Sequence, residues 1–542
     1  MMPLKNKKYR QLWKFWEAND ISTKERFLFF ILVIAGMIFI LRFFDWWFQP
    51  GHVASLPLFV LLSIIMWYSI LRLVLIWINY LGIKKASYIA PEKGLKVAIF
   101  TTSSPGEPLS MFDKTLEACA YINYPHTTYL LDDTQDPAFK AIAEKHGAVW
   151  LELVGLPGAK AGKVNQALQM IDEDFVLIMD PDHIPFPNFL DHTLGYFKDE
   201  EVGFVQVSQA YYNQYRSFTA RGAAEQTYTF YGPIMMGMNG FGTSVAIGAN
   251  CTFRKKALAS IGGHGIGLAE DLVTSIRLHA AGWKSVFNPV VVSRGLVPED
   301  FGSFCKQQLK WSRGVFEVLF SEFPKLAKTL SGWQRISYLA ISTYYLTGLS
   351  TFLFVMIPFM YFWGGWLPAR MDFGEFIIHG FPIVFMAILI YLFVQRWLSH
   401  PDSEKGFHLR GMVLKFASWP VFLLGTLLAI VDAEIPYIPT AKKAVKGLSP
   451  FTRPLIFQVI IFVLTLAYVI YDRIFVASEG ILILTSQQIW GMFAFAFVSI
   501  LMVIGGVYAA YESSNLEPEE PWAQIDLSKI VWENNADKKN EE

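Results

Sequence analysis

The sequence predicts an α/β domain inserted between the helices of an α-helical polytopic membrane protein. Of its 542 residues, 53% are hydrophobic and only 17% are charged, a balance typical of membrane proteins. Long apolar segments lie on both sides of a region of ordinary composition, in which strand-like runs alternate with helical ones. The net charge is zero, which gives no support to nucleic-acid binding. The three cysteines form no C-x-x-C pair, so they predict neither a disulfide framework nor a zinc site.

Two apolar segments, 27–41 and 56–81, precede the α/β region, and each approaches or exceeds the roughly 20 residues that cross a bilayer. Basic residues are frequent before the first segment, where we expect no signal peptide, whereas Arg42 is the only Lys or Arg in the link between the two segments. The positive-inside rule therefore predicts that the amino terminus and the α/β region are cytoplasmic.

Five apolar segments follow the α/β region, at 336–363, 376–393, 412–431, 455–471 and 489–510. Segment 412–431 has cationic residues on both sides and contains Lys415, Ser418 and Pro420, so we expect an interfacial helix rather than a span. This interpretation gives six spans with both termini inside, and the alternative is a seventh span.

The composition divides the chain into six expected parts. These are a cytosolic start with two spans (1–90), the α/β domain (91–330), a helix pair (331–400), an interfacial helix with a loop (401–452), a second helix pair (453–512) and a flexible acidic tail (513–542).

Within the α/β domain, strands are predicted at 96–101, 127–131, 148–153 and 175–179, and helices at 109–122, 137–146 and 164–171. Such alternation is typical of a parallel sheet with crossover helices.

Acidic residues follow two of these strands. Asp180 and Asp182, with His183 beside them, end the strand at 175–179, and Asp132 and Asp133 end the strand at 127–131. Ligands of open α/β sheets bind at the carboxyl ends of the strands, so both groups should lie at one edge. Carboxylate oxygens suit Mg²⁺ or Mn²⁺ better than zinc.

Two lysines open the helix that precedes the strand at 175–179. Lys160 or Lys163 is placed to meet a phosphate at the helix start. Together with the carboxylates and a divalent ion, this favours a nucleoside diphosphate as ligand. The chain contains no G-x-x-x-x-G-K-[ST] loop, which argues against a P-loop NTPase.

Glu270 and Asp271 follow a glycine-rich run and begin a helical pattern. Acidic residues at a helix start also serve as caps, but a carboxylate behind a flexible loop is a candidate general base. Further on, Gln307, Lys310 and Trp311 share one helical face. A cation can stabilise a leaving diphosphate and an indole can stack on a sugar; the alternative is an interfacial Trp with a snorkelling Lys.

These residues resemble the ordered motifs of the processive family-2 membrane glycosyltransferases, above all those of bacterial cellulose synthase catalytic subunits. Asp132-Asp133, Asp180-x-Asp182, Glu270-Asp271 and Gln307-x-x-Lys310-Trp311 stand in the order of the D, D-x-D, T-E-D and Q-x-x-R-W motifs. The stretch from Tyr437 to Lys442 is similar to the F-x-V-T gating loop. The resemblance implies a GT-A fold, which is Rossmann-like.

The resemblance also implies a role for each matching residue. Asp271, with Glu270, would supply the general base, Trp311 would stack on the acceptor sugar, and Mg²⁺ or Mn²⁺ would be held by Asp180, Asp182 and His183. The nucleotide-sugar would be bound by Asp132, Asp133, Lys160, Asp180, Gln307, Lys310, Thr440 and Lys442.

The sequence departs from the family pattern at several positions. Lys310 replaces the usual Arg, Ala269 stands in place of Thr, and the loop from Thr102 to Glu107 does not read P-x-Y-N-E. A lysine is a point charge and does not reproduce a bidentate guanidinium. The stretch after Glu512 is shorter than a PilZ domain, so we expect no activation by cyclic-di-GMP through this chain.

The sequence therefore predicts an inverting, processive synthase of the inner (plasma) membrane. It would polymerise a UDP-sugar, with UDP-glucose as the first expectation, into a β-glucan. It would pass this polysaccharide through its own channel in the lipid bilayer. Accessory secretion subunits are possible partners. Nucleic acid is not an expected partner. The alternatives are a hyaluronan- or chitin-like synthase that uses UDP-N-acetylhexosamine, and a non-catalytic transporter or scaffold.

Overall fold

The computed structural model describes residues 12–433, 435, 440–472 and 486–528. Its helices are, in chain order, α1 (Thr23–Trp47), α2 (Leu56–Leu81), α3 (Leu109–Ala120), α4 (Pro137–Lys145), α5 (Ala159–Met170), α6 (Phe218–Thr227), α7 (Met235–Gly240), α8 (Lys255–Ser260), α9 (Glu270–Ala280), α10 (Phe301–Glu317), α11 (Phe323–Leu326), α12 (Gly332–Ser342), α13 (Thr347–Gly364), α14 (Phe373–Val394), α15 (Pro401–Glu404), α16 (Leu409–Ala417), α17 (Trp419–Ile430), α18 (Arg453–Tyr471) and α19 (Ser486–Ser514).

The strands of the central sheet are β1 (Val97–Thr102), β2 (Thr127–Asp132), β3 (Val149–Glu152), β4 (Phe175–Ile178), β5 (Val202–Val207), β6 (Cys251–Arg254) and β7 (Lys284–Asn288). They lie side by side in the order β3-β2-β1-β4-β6-β5-β7. Alternate residues of β1 face opposite sides, so that Val97 and Ile99 enter one hydrophobic cluster, and Ala98 and Phe100 another. The strand is therefore buried on both faces, as its unbroken apolar run requires.

The expectation of a parallel sheet is correct for β1 to β4, and β5 and β7 also pair in parallel. Strand β6 runs antiparallel to both β4 and β5, which makes the sheet mixed. The alternation of strands and helices on which the expectation rested ends at β4, and β6 is reached by a long connection rather than by one crossover helix. Strand β5 nevertheless points the same way as β1, so its carboxyl end lies at the same edge.

Six described helices are long and apolar enough to cross a membrane, in agreement with the six predicted spans. They are Thr23–Trp47, Leu56–Leu81, Tyr344–Gly364, Phe373–Trp397, Pro450–Tyr471 and Ile489–Ser514. Helices α16 and α17 meet at an angle of 44° and would form a seventh span only if counted as one bent helix. The break lies at Ser418, just before Pro420, which has no N–H to continue the helical hydrogen bonds.

The start of the tail differs from its prediction. Trp522, Ile525 and Leu527 are buried in a hydrophobic cluster with Phe112 of the α/β domain and with Trp13, which precedes the first membrane helix. Glu520 also accepts hydrogen bonds from Lys443 and from Ser110. The polar composition after Glu512 predicted a flexible tail, but between 513 and 528 three apolar side chains are enough to fasten it to the domain.

Candidate active site

The loop after β4 lies at the carboxyl edge of the sheet and is held from both sides. Thr115 of α3 donates a hydrogen bond to the carbonyl oxygen of Pro181 at 2.6 Å, and the N–H of His183 donates to the carbonyl of Asp180 at 3.1 Å. Beyond the loop, Ile184–Pro185 pairs with Ser293–Arg294 as a short antiparallel ladder. These bonds fix the direction in which the two carboxylates and the imidazole point.

Close packing surrounds His183, which is only 2% exposed. A Cβ at Gly295 would lie 2.4 Å from its ring, so no other residue fits there without displacing the imidazole. Nδ1 of His183 lies 2.8 Å from Oδ1 of Asp182, and Nε2 lies 3.2 Å from the side-chain nitrogen of Gln209. If that nitrogen donates, Nε2 accepts and Nδ1–H donates to the carboxylate.

Asp182 contacts a residue that lies 260 positions further along the chain. The ammonium of Lys442 donates to Oδ2 of Asp182 at 2.6 Å. Burial alone would raise the pKa of Asp182, but the charge of Lys442 and the hydrogen bond from His183 outweigh it and hold that pKa well below its usual range. Asp182 is therefore an anion at neutral pH.

Asp180 is paired with a lysine from the helix that precedes its strand. Lys160, in the first turn of α5, donates both to Oδ1 of Asp180 and to the carbonyl of Gly248. This contact links three segments at the mouth of the site. Of the two lysines considered from the sequence, Lys160 lines the cavity described below, whereas Lys163 is buried and donates to the backbone of Ser103.

The residues expected to bind a metal do lie together. One ligand atom from each of Asp180, Asp182 and His183 can be chosen so that all three atoms lie within 4.8 Å of one another. Two carboxylates and one imidazole are a donor set that Mg²⁺ and Mn²⁺ accept, with water completing the coordination. The residues present therefore fit a divalent cation.

Asp271 lies at the start of α9 and faces the same cavity. Burial raises its pKa to about 7, and the neighbouring charge of Glu270 adds to this, while the Leu272 N–H and the ammonium groups of Lys160 and Lys310 oppose it. A Cβ on Gly248 would lie 3.3 Å from Oδ2 of Asp271, so the glycine leaves this oxygen accessible. Asp271 can thus accept a proton near neutral pH.

Helix α10 brings Gln307, Lys310 and Trp311 to the cavity. Its start is capped by Asp300, whose side chain accepts from the N–H of Ser303 at 2.8 Å. A Cβ at Gly314 would lie 2.8 Å from the backbone of Leu268 and Ala269, so this glycine lets the helix approach the segment that carries Asp271. This close approach brings α10 next to the segment that carries Asp271, and the Lys310 ammonium acts electrostatically on that carboxylate.

These residues line a single cavity of about 770 Å³. It extends from the sheet edge to the membrane helices, where Leu73, Ile76, Tyr344 and Ile390 form part of its wall. Thr440 and Lys442 also line it, whereas the preceding residues of the expected gating loop, 437–439, lie outside the described part of the chain. The catalytic edge and the membrane region thus share one space.

Asp132 and Asp133 do not line this cavity. Asp132 is fully buried and accepts hydrogen bonds from Ser103, Thr134 and Trp150. Burial raises its pKa, but these donors outweigh that effect and the pKa lies below its usual range. Asp133 accepts from the N–H of Gly155. Both carboxylates therefore hold the end of β2 to neighbouring segments, and their predicted contact with the nucleotide-sugar stays a prediction.

Glu107 and Gln209 are among the polar residues of the cavity that were missed from the sequence. Glu107 follows β1 and accepts from the N–H of Ser104 at 3.0 Å; burial raises its pKa, and Lys442 opposes the rise. Gln209 follows β5 and contacts His183. Both follow strands that end at this edge. Because ligands of open α/β sheets bind at the carboxyl ends of the strands, a search after every strand would have found both residues.

Comparison with known proteins agrees with this geometry. Residues 175–367 match the model of "Glycosyl transferase family group 2". The chain is 25% identical over 326 residues to a UDP-forming cellulose synthase catalytic subunit of Pseudomonas fluorescens, covering 58% of this chain and 43% of that protein. It is 27% identical over 270 residues to that of Komagataeibacter sucrofermentans, covering 48% and 36%. The aligned regions span less than half the length of these two relatives.

Among solved structures, the chain is similar to a mannosyltransferase from Pyrobaculum calidifontis in complex with GDP-Man and Mn²⁺. The two share 16% identity with a TM-score of 0.49, and the likeness covers 70% of this chain and all of that one.

The match to glycosyl transferase family group 2 therefore covers part of the mixed sheet and of the candidate site, in a chain whose described part has six helices long and apolar enough to cross a membrane. Over about half of its length, the chain is homologous to bacterial cellulose synthase catalytic subunits.

Proposed function

We propose that this protein is a processive, inverting hexosyltransferase that builds a β-glucan from UDP-glucose and passes it across the membrane. The observation that carries the proposal is the shared cavity, in which the carboxylates of Asp180 and Asp182, the candidate base Asp271 and the indole of Trp311 face one space that continues between membrane helices. The homology to UDP-forming cellulose synthase subunits supports UDP-glucose as the first donor to test.

The proposed reaction is a single displacement. Asp271 takes the proton of the acceptor hydroxyl while the acceptor oxygen bonds to C1 of the donor hexose and the bond from C1 to the UDP oxygen breaks. One base and one displacement invert the configuration at C1. The pKa of Asp271, raised to about 7, suits this task, because a base titrating near the working pH is ionised yet basic enough.

The departing UDP is negatively charged, and cations are available to stabilise it. Lys160, Lys310 and Lys442 all line the cavity. A divalent cation held by Asp180, Asp182 and His183 would add positive charge at the diphosphate. Trp311 would stack on the acceptor sugar, and Gln307 would donate hydrogen bonds to the diphosphate or the sugar.

The continuity of the cavity with the membrane helices supports the proposed transfer across the membrane. With the α/β domain and both termini in the cytoplasm, donor and product would lie on opposite sides of the inner membrane. Accessory subunits for secretion are part of this proposal. A second candidate donor is a UDP-N-acetylhexosamine, because Gln307 and Gln308 both line the cavity and could bond an acetamido group.

The test is to incubate the purified full chain with UDP-glucose, UDP-N-acetylglucosamine, UDP-galactose and UDP-glucuronate separately, with Mg²⁺ or Mn²⁺. Products are then digested with hydrolases specific for each linkage. We expect polymer from UDP-glucose that a β-glucanase degrades. Polymer from UDP-N-acetylglucosamine alone would favour the second candidate, and no transfer from any donor would overturn the proposal.

A further inference from the structure

Residues 440–447, here called the cavity segment, bring Thr440 and Lys442 to the cavity and then leave it. The later part of the segment contacts the start of α10, because the N–H of Val445 donates to Oδ2 of Asp300 at 3.1 Å. Asp300 is buried and also caps α10, a helix whose side chains line the same cavity. The cavity segment is therefore fixed to an element that contributes to the same site.

Residues 515–528, here called the tail segment, are joined to the cavity segment. The ammonium nitrogen of Lys443 lies 2.7 Å from Oε1 of Glu520. Immediately before the tail segment, the carbonyl oxygen of Ser514 accepts a hydrogen bond from the N–H of Gly447 at 3.1 Å. An ion pair and a backbone hydrogen bond thus connect two parts of the chain that are far apart in sequence.

The tail segment is itself anchored to the α/β domain. The indole of Trp522 is 1% exposed and donates to Oγ of Ser110 in α3 at 3.0 Å. Ser110 in turn donates to Oε2 of Glu520 at 2.9 Å, so that one carboxylate joins α3 to Lys443. The tail segment therefore holds Lys443 against a fixed part of the domain.

Lys442 and Lys443 are neighbours in the chain, but their ammonium groups contact different carboxylates. That of Lys442 donates to Asp182 in the cavity, and that of Lys443 donates to Glu520, which does not line the cavity. Because Asp182 is an expected ligand of the divalent cation, an ammonium held beside it is close to the expected place of the diphosphate. Fixing Lys443 restricts the backbone that carries Lys442, and restriction before binding lowers the entropic cost of contact with a ligand.

We propose that Lys443 and Glu520 are positioning residues of the donor site, which hold the cavity segment so that the ammonium of Lys442 meets the diphosphate of the donor. The inference rests on the proposed function and adds to its donor site a part of the chain that lies outside the cavity. A partly exposed ion pair changes an equilibrium by a factor of about 1.5 to 5, so the expected effect on donor binding is moderate.

The test measures UDP binding by thermophoresis, with the full chain in nanodiscs and Mg²⁺ present, for Lys443→Gln, Glu520→Gln and the variant with both substitutions. We expect each single substitution to weaken UDP binding about threefold. Because the two residues act as a pair, the double variant should lose no more affinity than a single one. The midpoint temperature of thermal unfolding is measured alongside and should change little.

A nitroxide label reports directly on the cavity segment. Val445 is 50% exposed and the three cysteines of the chain are buried, so Val445→Cys supplies an accessible thiol for the label. The backbone N–H at this position can still donate to Asp300. Without nucleotide, the electron paramagnetic resonance spectrum should show a more mobile label when Glu520→Gln is added to this background.

Lys284→Gln is the matched control. Lys284 forms a partly exposed salt bridge with Asp199 at 3.0 Å and does not line the cavity. Its substitution should leave both UDP affinity and label mobility as they are in the wild type. A control that weakens UDP binding as much as Glu520→Gln would overturn the inference, because the effect would then be common to surface ion pairs.

Unchanged UDP affinity in both single variants would also overturn the inference, including the case in which only the midpoint temperature falls. Weaker UDP binding with unchanged label mobility would do the same, because the loss would not pass through the cavity segment.

Measuring binding and mobility apart from transfer separates the two proposals. If no sugar donor supports transfer but Glu520→Gln still weakens UDP binding and frees the label, the proposed function fails and the positioning role stands. If transfer proceeds and both variants keep the KM of the wild type for UDP-glucose, the positioning role fails and the proposed function stands.

Discussion

Asp182 and Asp271 line the same cavity, but their surroundings move their pKa values in opposite directions. Both are desolvated, which by itself raises the pKa of a carboxyl group. At Asp182, the ammonium of Lys442 and the hydrogen bond from His183 reverse this effect. At Asp271, the charge of Glu270 adds to it, and the pKa rises to about 7.

This difference shows how one site can assign two tasks, cation binding and proton transfer, to two different carboxylates. A group that stays ionised at every physiological pH is suited to holding cations, whereas one that titrates near 7 is suited to taking a proton. The deciding neighbours are a lysine from a distant segment in one case and a glutamate one position away in the other.

The largest expected effect is that of Asp271→Asn. Removing a general base lowers the rate by about 10²–10⁴-fold, and the amide keeps the shape of the side chain. Polymer formation from labelled UDP-glucose should therefore almost vanish, while UDP-glucose binding, measured by thermophoresis, stays close to that of the wild type. Undiminished synthesis would remove Asp271 as the base.

Asp182→Ala should also inactivate the enzyme, but by another route. Loss of a metal ligand should reduce transfer by at least about a hundredfold and weaken donor binding as well, in contrast to Asp271→Asn. Chelation of Mg²⁺ and Mn²⁺ should abolish wild-type transfer and change the residual activity of the variant little. A variant that still responds to added metal as the wild type does would contradict the assignment of Asp182.

Sequence reasoning identified much of the site because its residues follow strands or open helices. The spacing of Asp180, Asp182 and His183 after an apolar run was enough to locate them at the sheet edge, and the structure brings them within 4.8 Å of one another. The face shared by Gln307, Lys310 and Trp311 likewise follows from helical periodicity, and all three line the cavity.

Contacts between distant segments could not be predicted in the same way. The family resemblance predicts a role for Lys442 at the nucleotide, but it does not predict the ion pair of Lys442 with Asp182 across 260 positions. Asp132 and Asp180 look alike as strand-end acids, and only packing reveals that the first is enclosed by Ser103, Thr134 and Trp150. The antiparallel direction of β6 also depends on tertiary packing, since its four residues, Cys251–Arg254, do not specify a strand direction.

The pH dependence of the transfer rate tests the contrast between Asp271 and Asp182 through a smaller effect. Because Asp271 must be deprotonated to act as base, the transfer rate should fall about tenfold per pH unit below its pKa of about 7. Glu270→Gln removes a charge that raises this pKa, so the acidic limb should move to lower pH. Initial rates measured from pH 5 to 9 at saturating donor and metal give both the slope of the acidic limb and its shift in the variant. An acidic limb that Glu270→Gln leaves in place would assign the titration to another group.

Asp132→Asn should affect transfer less than either cavity substitution and act mainly on stability. The amide would turn an N–H towards the N–H of Trp150 or give up the bonds from Ser103 and Thr134, at a cost of about 1–3 kcal/mol. Because the folded protein lowers the pKa of Asp132, its stabilisation is present above the unfolded value and is lost as the pH falls through the folded value. The midpoint temperature of thermal unfolding in detergent should therefore be lower for the variant than for the wild type at pH 7. This difference should decrease at acidic pH. Loss of UDP-glucose affinity without loss of stability would instead make Asp132 a nucleotide ligand.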